Sequence, residues 1–515
     1  MAATTNREQI STERWVFAAW MTAIAAELAA VAGVAFGVPL GVGVLVALAL
    51  GAIACKWTAN RLPREWDGMC RTHRGLSLLW LIVALAAMLR IAGVAWFMAD
   101  PNHPQASAYW FDRFFSAHSC YSQYWRGAEL ARAGVENLYD TAYYDSYIGR
   151  FQVDEYLYLP QFLILPRLAL AMGGNFYQIR AVWFALEAGL FGLAIFVLCR
   201  WMGGRLGSRV ALLSVALWVS TPVLATLQVG NYQLAAIALS MIAMVLFERN
   251  RSGLGGALLA LAAFKMWPGL LVVYLTAARR WRAVAWTIAF SLFYCLVAYL
   301  WMGGRPFQAF VHYDWPRLVS RNAWPYVEDL DVSAINDSVP GLVLKLKMLG
   351  VKGMTNALED TVEYGWTFVL LALAAFAAWR DSHLSRLERA SCWLALLTLA
   401  SFRAPFVPDI YGLITPLWLW SLVAAARQLT WRNAAWLAVG WFILDAVVPF
   451  TGTPLVGAAR MAVATVSQFT AIGLCCWTLL GHLCRSPKTG KTPAVHRSNS
   501  SYADNYGPEL IREAE

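Results

Sequence analysis

The sequence predicts an all-α protein that passes through a membrane many times. Hydrophobic residues make up 59% of the 515 and charged residues only 14%. The mean hydropathy is +0.51. Apolar runs of near membrane-crossing length recur along the chain, separated by short loops rich in Lys and Arg. The 26 tryptophans are enough to supply interfacial belts at both membrane surfaces.

Taken in order, 15–36 and 38–55 read as a helical hairpin turning near Gly37 and Pro39. Lys56, Arg61, Arg64, Arg71 and Arg74 make the following loop cytoplasmic, and residues 1–75 form an N-terminal unit. Residues 76–98 cross outward to a long polar loop, 99–175. Within it, 157–172 is apolar but carries Pro160, Pro166 and Arg167, so it is expected to lie on the outer surface or dip in. Residues 177–201, 210–227 and 232–247 cross, with the VGN turn (229–231) outside. The stretch 254–278 has basic residues at both ends (Arg249 and Arg251; Arg279, Arg280 and Arg282) and no room for two full crossings. It is expected to be two half-helices that dip in and return, broken near Lys265 and Pro268. Residues 283–302 close a module spanning 76–302. The C-terminal module, 303–484, opens with an outer loop over 303–365. Crossings follow at 366–379, 390–402, 412–426, 434–448 and 461–484. The tail, 485–515, reads as disordered and cytoplasmic. The tally is about 12 transmembrane helices plus outer-surface amphipathic helices, in a plasma or inner membrane, with both termini cytoplasmic and no cleaved signal peptide.

The net charge of +10 sits mainly in short loops and the tail. It fits orientation and anionic-lipid attraction rather than nucleic-acid binding. The nine cysteines are scattered without metal spacing. Cys199, Cys295, Cys475 and Cys476 fall in apolar runs, and only Cys120 falls in an outer loop, so no disulfide is expected there. Neither a metal nor a cofactor is expected.

Five charges fall inside apolar runs: Glu27, Arg90, Glu187, Lys265 and Asp445. Each needs a partner or a wet cavity. An internal ion pair, such as Arg90 with Glu187, is the plain explanation. Lys265, at the expected break, either meets a phosphate or holds the break together. The acids and aromatic rings concentrate in the outer loops. That distribution favours an enzyme working at the outer face on a lipid-linked substrate. There a carboxylate could act as general base, and Arg, His or Lys could bind phosphate. A transporter would instead rely on its intramembrane charges.

The stretch CYSQYWRGAELARAGVENLYD (120–140) resembles the D-x-x-x-[YF]-W-x-x-x-x-x-L-x-x-G-x-x-x-x-YD pattern of the family 87 glycosyltransferases (DUF2029), integral-membrane enzymes of the GT-C fold. YLYLPQFLILPRLAL, VGNYQLAAIALSMIAM, GGALLALAAFKMWPGLLVVYLTAARRWR, INDSVPGLVLKL and RAPFVPDIYGL are similar to further family segments, in the family's order, over roughly 80–425. The resemblance implies inverting transfer of a hexose, mannose among the family's sugars, from polyprenyl phosphate. The acceptor would be an envelope glycolipid or polysaccharide at the extracytoplasmic face, and an Asp of the first outer loop would be the base. Cys120, Tyr124, Arg126, Tyr158, Asn231 and Lys265 are candidate substrate-binding residues; His118 and His312 join them for the versatility of histidine, against a plainer interfacial role, and Asp409 because its loop could face the same cavity.

In this chain the family's Asp falls at Cys120, and a thiol cannot copy a carboxylate. Either another acid takes the role, or the register differs, or transferase activity is lost. Asp112 is the first candidate base and Asp154 the second. Against them stand plainer roles: Asp112 as a surface acid paired with Arg113 or Arg126, and Asp154 as the cap of the surface helix. Tyr139 and Asp140 are expected to hold the loop's shape. A transporter or flippase of lipid-linked sugars, and an inactive relative, are the alternative readings.

Overall fold

In a computed structural model the described residues are 12–69, 73–110, 112–445 and 454–483. The tail expected over 485–515, Arg71, and the end of the crossing expected at 434–448 lie outside them.

The described chain is mostly helical, with one two-stranded sheet. The N-terminal hairpin forms as expected: α1 (Thr12–Ala35) packs along α2 (Leu40–Arg61), with Gly37 and Pro39 in the turn. Then come α3 (Arg74–Ala99), α4 (Arg113–Ala117) and α5 (Tyr121–Ala133). A tight hairpin of β1 (Tyr147–Ile148) and β2 (Phe151–Gln152) follows. A 3-10 turn at Pro160–Leu163 leads into α6 (Ile164–Ala171), too short to cross a membrane. Next are α7 (Phe176–Met202), α8 (Gly204–Val219), α9 (Thr221–Val229), α10 (Gln233–Glu248), α11 (Ser252–Ala262), α12 (Leu270–Ala277) and α13 (Trp281–Met302). The C-terminal part holds α14 (Asn356–Trp379), α15 (Arg386–Ser401), α16 (Ile414–Ala425), α17 (Trp431–Leu444) and α18 (Pro454–Leu483).

Six described helices are long and apolar enough to cross a membrane, or seven if the bent pair α8–α9 is one span. This differs from the tally of about 12, which counts shorter runs as spans. α10, α15, α16 and α17 have 16, 16, 12 and 14 residues. The run 210–227 is not one straight helix either. It bends by 60° between α8 and α9, where Ser220 and Pro222 interrupt it. The freed Thr221 N–H donates to Asp445 Oδ1 at 2.6 Å, which gives that acid its partner.

The stretch 252–277 doubles back. Gly253 of α11 lies against Trp286 near the start of α13, and Phe264 packs edge-to-face on Tyr294 two turns further along it (5.6 Å). α11 therefore runs parallel to α13. α12 must return to Trp281 within its eight residues. A Cβ at Gly256 would come within 2.7 Å of the Trp286 backbone, so only glycine permits this approach. The break lies at Lys265–Gly269, where Met266 takes φ +65° and Pro268 lacks an N–H.

The basic loops gather at one end of the molecule. Arg209 forms a two-point bridge to Asp67, with Nη2–Oδ1 at 3.0 Å. Arg280 contacts Glu248 and Asp381, both at 2.5 Å, and Arg389 bonds the same two acids. These bridges tie both feet of the doubled-back hairpin to the α14–α15 loop. Arg389→Ala is expected to destabilise the protein by on the order of 3 kcal/mol, because it leaves largely buried carboxylates short of a partner. Thermal unfolding in detergent checks it.

Tryptophan has a use that the interfacial-belt expectation does not cover. The indole N–H groups of Trp20, Trp80, Trp366 and Trp441 donate to backbone carbonyls of neighbouring helices (Ala84, Leu212, Leu399 and Ala216) at 2.9–3.1 Å. They stitch helix to helix where no water competes. The expected Arg90–Glu187 pair does not form. Arg90 donates to the carbonyls of Ala108 (3.0 Å) and Val219 (3.4 Å), and both Glu187 oxygens are buried without a hydrogen bond.

Candidate active-site cavity

At the end opposite the basic loops, a cavity of about 1350 Å³ opens between the loops 99–175 and 303–365, the 403–411 loop and the broken hairpin. Its polar wall is assembled from four distant parts of the chain.

The 99–175 loop supplies His118, Cys120 and Asp154. Residue His118 forms a parallel bridge with Gln152 of β2, which sets its ring beside Asp154, two residues further on. Phe114 stacks on that ring at 4.5 Å. His118 Nδ1 lies 3.5 Å from Asp154 Oδ1, and Nε2 lies 3.4 Å from Cys120 Sγ. Cys120 Sγ also meets the Tyr411 hydroxyl at 3.0 Å and accepts from Asn231 Nδ2 at 3.5 Å. Asn231 reaches the thiol because Gly230 takes φ +71°, and a Cβ there would stand 3.1 Å from Tyr121 Cβ. Lys265 Nζ donates to Asn231 Oδ1 at 3.0 Å and to the Tyr158 hydroxyl, and it lies 4.5 Å from the centre of the Tyr158 ring. The Tyr124 hydroxyl donates to Tyr158 from behind, at 2.7 Å. One unbroken line of contacts thus runs Asp154–His118–Cys120–Asn231–Lys265.

Of the residues nominated from sequence, His118, Cys120, Asp154, Tyr158, Asn231, Lys265 and Asp409 line this cavity. Tyr124 supports it. Asp112, Arg126 and His312 are not among its lining residues. Asp112 is buried (4% exposed) and accepts the Phe114 N–H at 2.9 Å as the cap of α4. Arg126 donates to the Tyr143 carbonyl at 3.0 Å and sits 3.6 Å from Glu129. His312 is exposed on a π-helical turn, Phe310–Asp314. Asp154 does not cap the surface helix, which begins after Leu159. Tyr139 braces the loop by donating to the Tyr158 carbonyl at 2.9 Å, and Asp140 caps the turn Thr141–Tyr143.

Tyr411 is a site residue that the sequence nominations omit. Its signal is the tyrosine in RAPFVPDIY, two positions after Asp409. The INDS segment holds that loop in place. Asn336 bonds the Pro405 carbonyl and the Val407 N–H, both at 2.9 Å, and the Asp409 N–H donates to the Ile335 carbonyl at 2.9 Å.

The His118–Asp154 pair keeps a solvent edge, at 18% and 25% exposed. Burial opposes a charge on His118, but the neighbouring Asp154 carboxylate and Cys120 outweigh it and hold the imidazolium up to about pH 9. Burial raises the Asp154 carboxyl above its ordinary value, against the pull of His118 and Cys120. A carboxylate raised in this way is a stronger base. Donor atoms of His118, Cys120 and Asp154 lie within 4.8 Å of one another, a spacing that could also hold a divalent ion.

The fold is that of a multi-pass helical membrane protein, and the site is a polar cleft at one end of it. Residues 156–407 match the family model of glycosyltransferase family 87, and this part of the chain belongs to that family. That membership supports a membrane glycosyltransferase. No match was found among curated proteins or among solved structures.

Proposed function

We propose that the protein transfers a hexose, with mannose the first choice, from a polyprenyl-phosphate donor to an envelope glycolipid or polysaccharide. Transfer takes place at the extracytoplasmic face with inversion at the anomeric carbon. The observation that carries this reading is the position of Lys265. A cation at the break of a doubled-back hairpin, on the wall of a cavity that also holds the His118–Asp154 pair, suits a phosphate leaving group. Met266, Leu270, Val273, Leu370 and Leu371 give the same cavity an apolar flank between α12 and α14, suited to an isoprenoid chain. In this GT-C-type arrangement α2 and the short helices α10, α15, α16 and α17 also cross, which with the seven candidate spans makes twelve crossings and leaves both termini in the cytoplasm.

In the proposed step, Asp154 takes the proton of the acceptor hydroxyl. The hydroxyl oxygen attacks the anomeric carbon as the bond to the lipid phosphate breaks. Lys265, held by Asn231 and Tyr158, stabilises the departing phosphate. His118 orients Asp154. Transfer should rise with pH as Asp154 ionises, with its midpoint above that of an ordinary carboxylate, and fall near pH 9 as His118 loses its charge. Once Asp154 is ionised, the favourable His118–Asp154 contact is fully present up to about pH 6.5 and fades through about pH 9, the order for a histidine with a raised pKa; at low pH it is lost as Asp154 takes a proton. The pH profile of initial transfer rates checks both limbs.

Proteoliposomes loaded with labelled polyprenyl-phospho-mannose test transfer against flipping. A transferase separates label from lipid when acceptor is present. A flippase moves intact donor between leaflets and fails when Glu187 is neutralised, and that result would overturn this reading.

A further inference from the structure

Cys120 has a setting that sugar transfer does not require. Its Sγ faces the cavity, though only 4% of the residue is exposed. Three polar groups converge on it: His118 Nε2 at 3.4 Å, the Tyr411 hydroxyl at 3.0 Å and Asn231 Nδ2 at 3.5 Å. The far nitrogen of the same imidazole faces Asp154 at 3.5 Å, and stacking on Phe114 fixes the ring. Thiol, imidazolium and carboxylate therefore stand in the order that activates a sulfur nucleophile: a positive ring beside the sulfur that stabilises its thiolate, and a carboxylate that holds the ring. The other described cysteines (Cys55, Cys199, Cys295, Cys392, Cys475 and Cys476) lie within helices, and none lines this cavity.

We propose that Cys120 is a covalent-modification site: a nucleophilic thiol, activated by the His118–Asp154 pair, that reacts with small electrophiles entering the cavity, peroxides among them. The charged His118 donates from Nε2 to the sulfur and stabilises its thiolate, and the thiol proton passes to water. With a peroxide, the S–O bond forms as the O–O bond breaks. The hydroxide released takes up the proton given to water and leaves as water, so sulfur is oxidised to a sulfenic acid and the peroxide is reduced. A small external thiol then condenses with the sulfenic acid to a mixed disulfide, releasing water, and a second thiol restores Cys120. Any such adduct fills the space between Tyr411 and Asn231, and Asn231 holds Lys265. Modification therefore stops transfer. That last consequence rests on the proposed function; the reactivity of the thiol does not.

The test is alkylation by iodoacetamide, in which the S–C bond forms and iodide leaves. The detergent-purified full chain is used at pH 7, and the extent of labelling at each cysteine is read by peptide mass spectrometry. Cys120 should be alkylated first among the described cysteines, and faster in the folded protein than in the same chain unfolded in denaturant. His118→Gln should slow it by about tenfold or more, and Asp154→Asn by less. Transfer should fall in step with Cys120 labelling and return when a thiol reverses a peroxide-derived adduct. The proposal is overturned if Cys120 reacts no faster folded than unfolded, a comparison that needs no variant. It is overturned equally if a folded His118→Gln protein reacts at the wild-type rate. Selective, His118-dependent labelling in a protein that transfers no sugar would leave the modification site standing and count against the transferase mechanism alone.

Discussion

Asp154→Asn is expected to lower sugar transfer by about 10²–10⁴-fold, the contribution of a positioned general base, while the unfolding temperature and donor binding stay near wild type. The amide keeps the shape of the side chain and its place beside His118, but it cannot take a proton. Asp112→Asn is the matched control. Asp112 caps α4 by accepting the Phe114 N–H, and asparagine caps a helix about as well as aspartate. That variant should retain both fold and transfer. Single-turnover rates with both variants, beside thermal unfolding, separate a catalytic carboxylate from a structural one.

Lys265→Met is expected to weaken donor binding and to lower transfer by about 10²–10³-fold, the loss typical when one donor to a developing anion is removed. The substitution keeps an unbranched side chain over the Tyr158 ring but removes the charge that reaches Asn231 and Tyr158. Lys265→Arg should restore only part of the activity, because a planar guanidinium cannot occupy a slot shaped for a point charge between an amide oxygen and a phenol. Competition by polyprenyl phosphate against labelled donor reads the binding loss directly. If donor affinity were unchanged in Lys265→Met, the lysine would be a brace for the helix break and not a phosphate ligand.

Much of this architecture is legible in the sequence because charge is costly in a membrane. Basic residues on both sides of 254–278 leave that segment no way to cross and remain at the far side, and the structure folds it back on α13. The same logic picks out Lys265 and Asn231, which stand on breaks in otherwise apolar runs. The number of spans is harder to read. Hydropathy counts apolar runs, whereas Ser220, Pro222 and the short lengths of α15–α17 decide which runs become long straight helices. The choice between Asp112 and Asp154 is not legible either. Both are single acids in one polar loop. What separates them is the bridge between His118 and Gln152, a pairing across 34 residues that leaves no periodic trace. Tyr411 lies 291 residues from the Cys120 it touches, so only the folded chain brings them together. The wrong pairing of Arg90 with Glu187 has a similar cause. Opposite charges in neighbouring apolar runs suggest a pair, but the three-dimensional path offers Arg90 two backbone carbonyls first.

The most direct measurement of the central claim is consumption of a labelled polyprenyl-phospho-hexose by purified wild-type protein, beside Asp154→Asn, in a single turnover with acceptor lipid supplied. The account predicts that wild type moves the label off the lipid, and that a well-folded Asp154→Asn binds the donor but leaves it intact. Equal consumption by both proteins would contradict the assignment of Asp154. No consumption by either, with any hexose tried, would contradict the transferase mechanism built on this cavity.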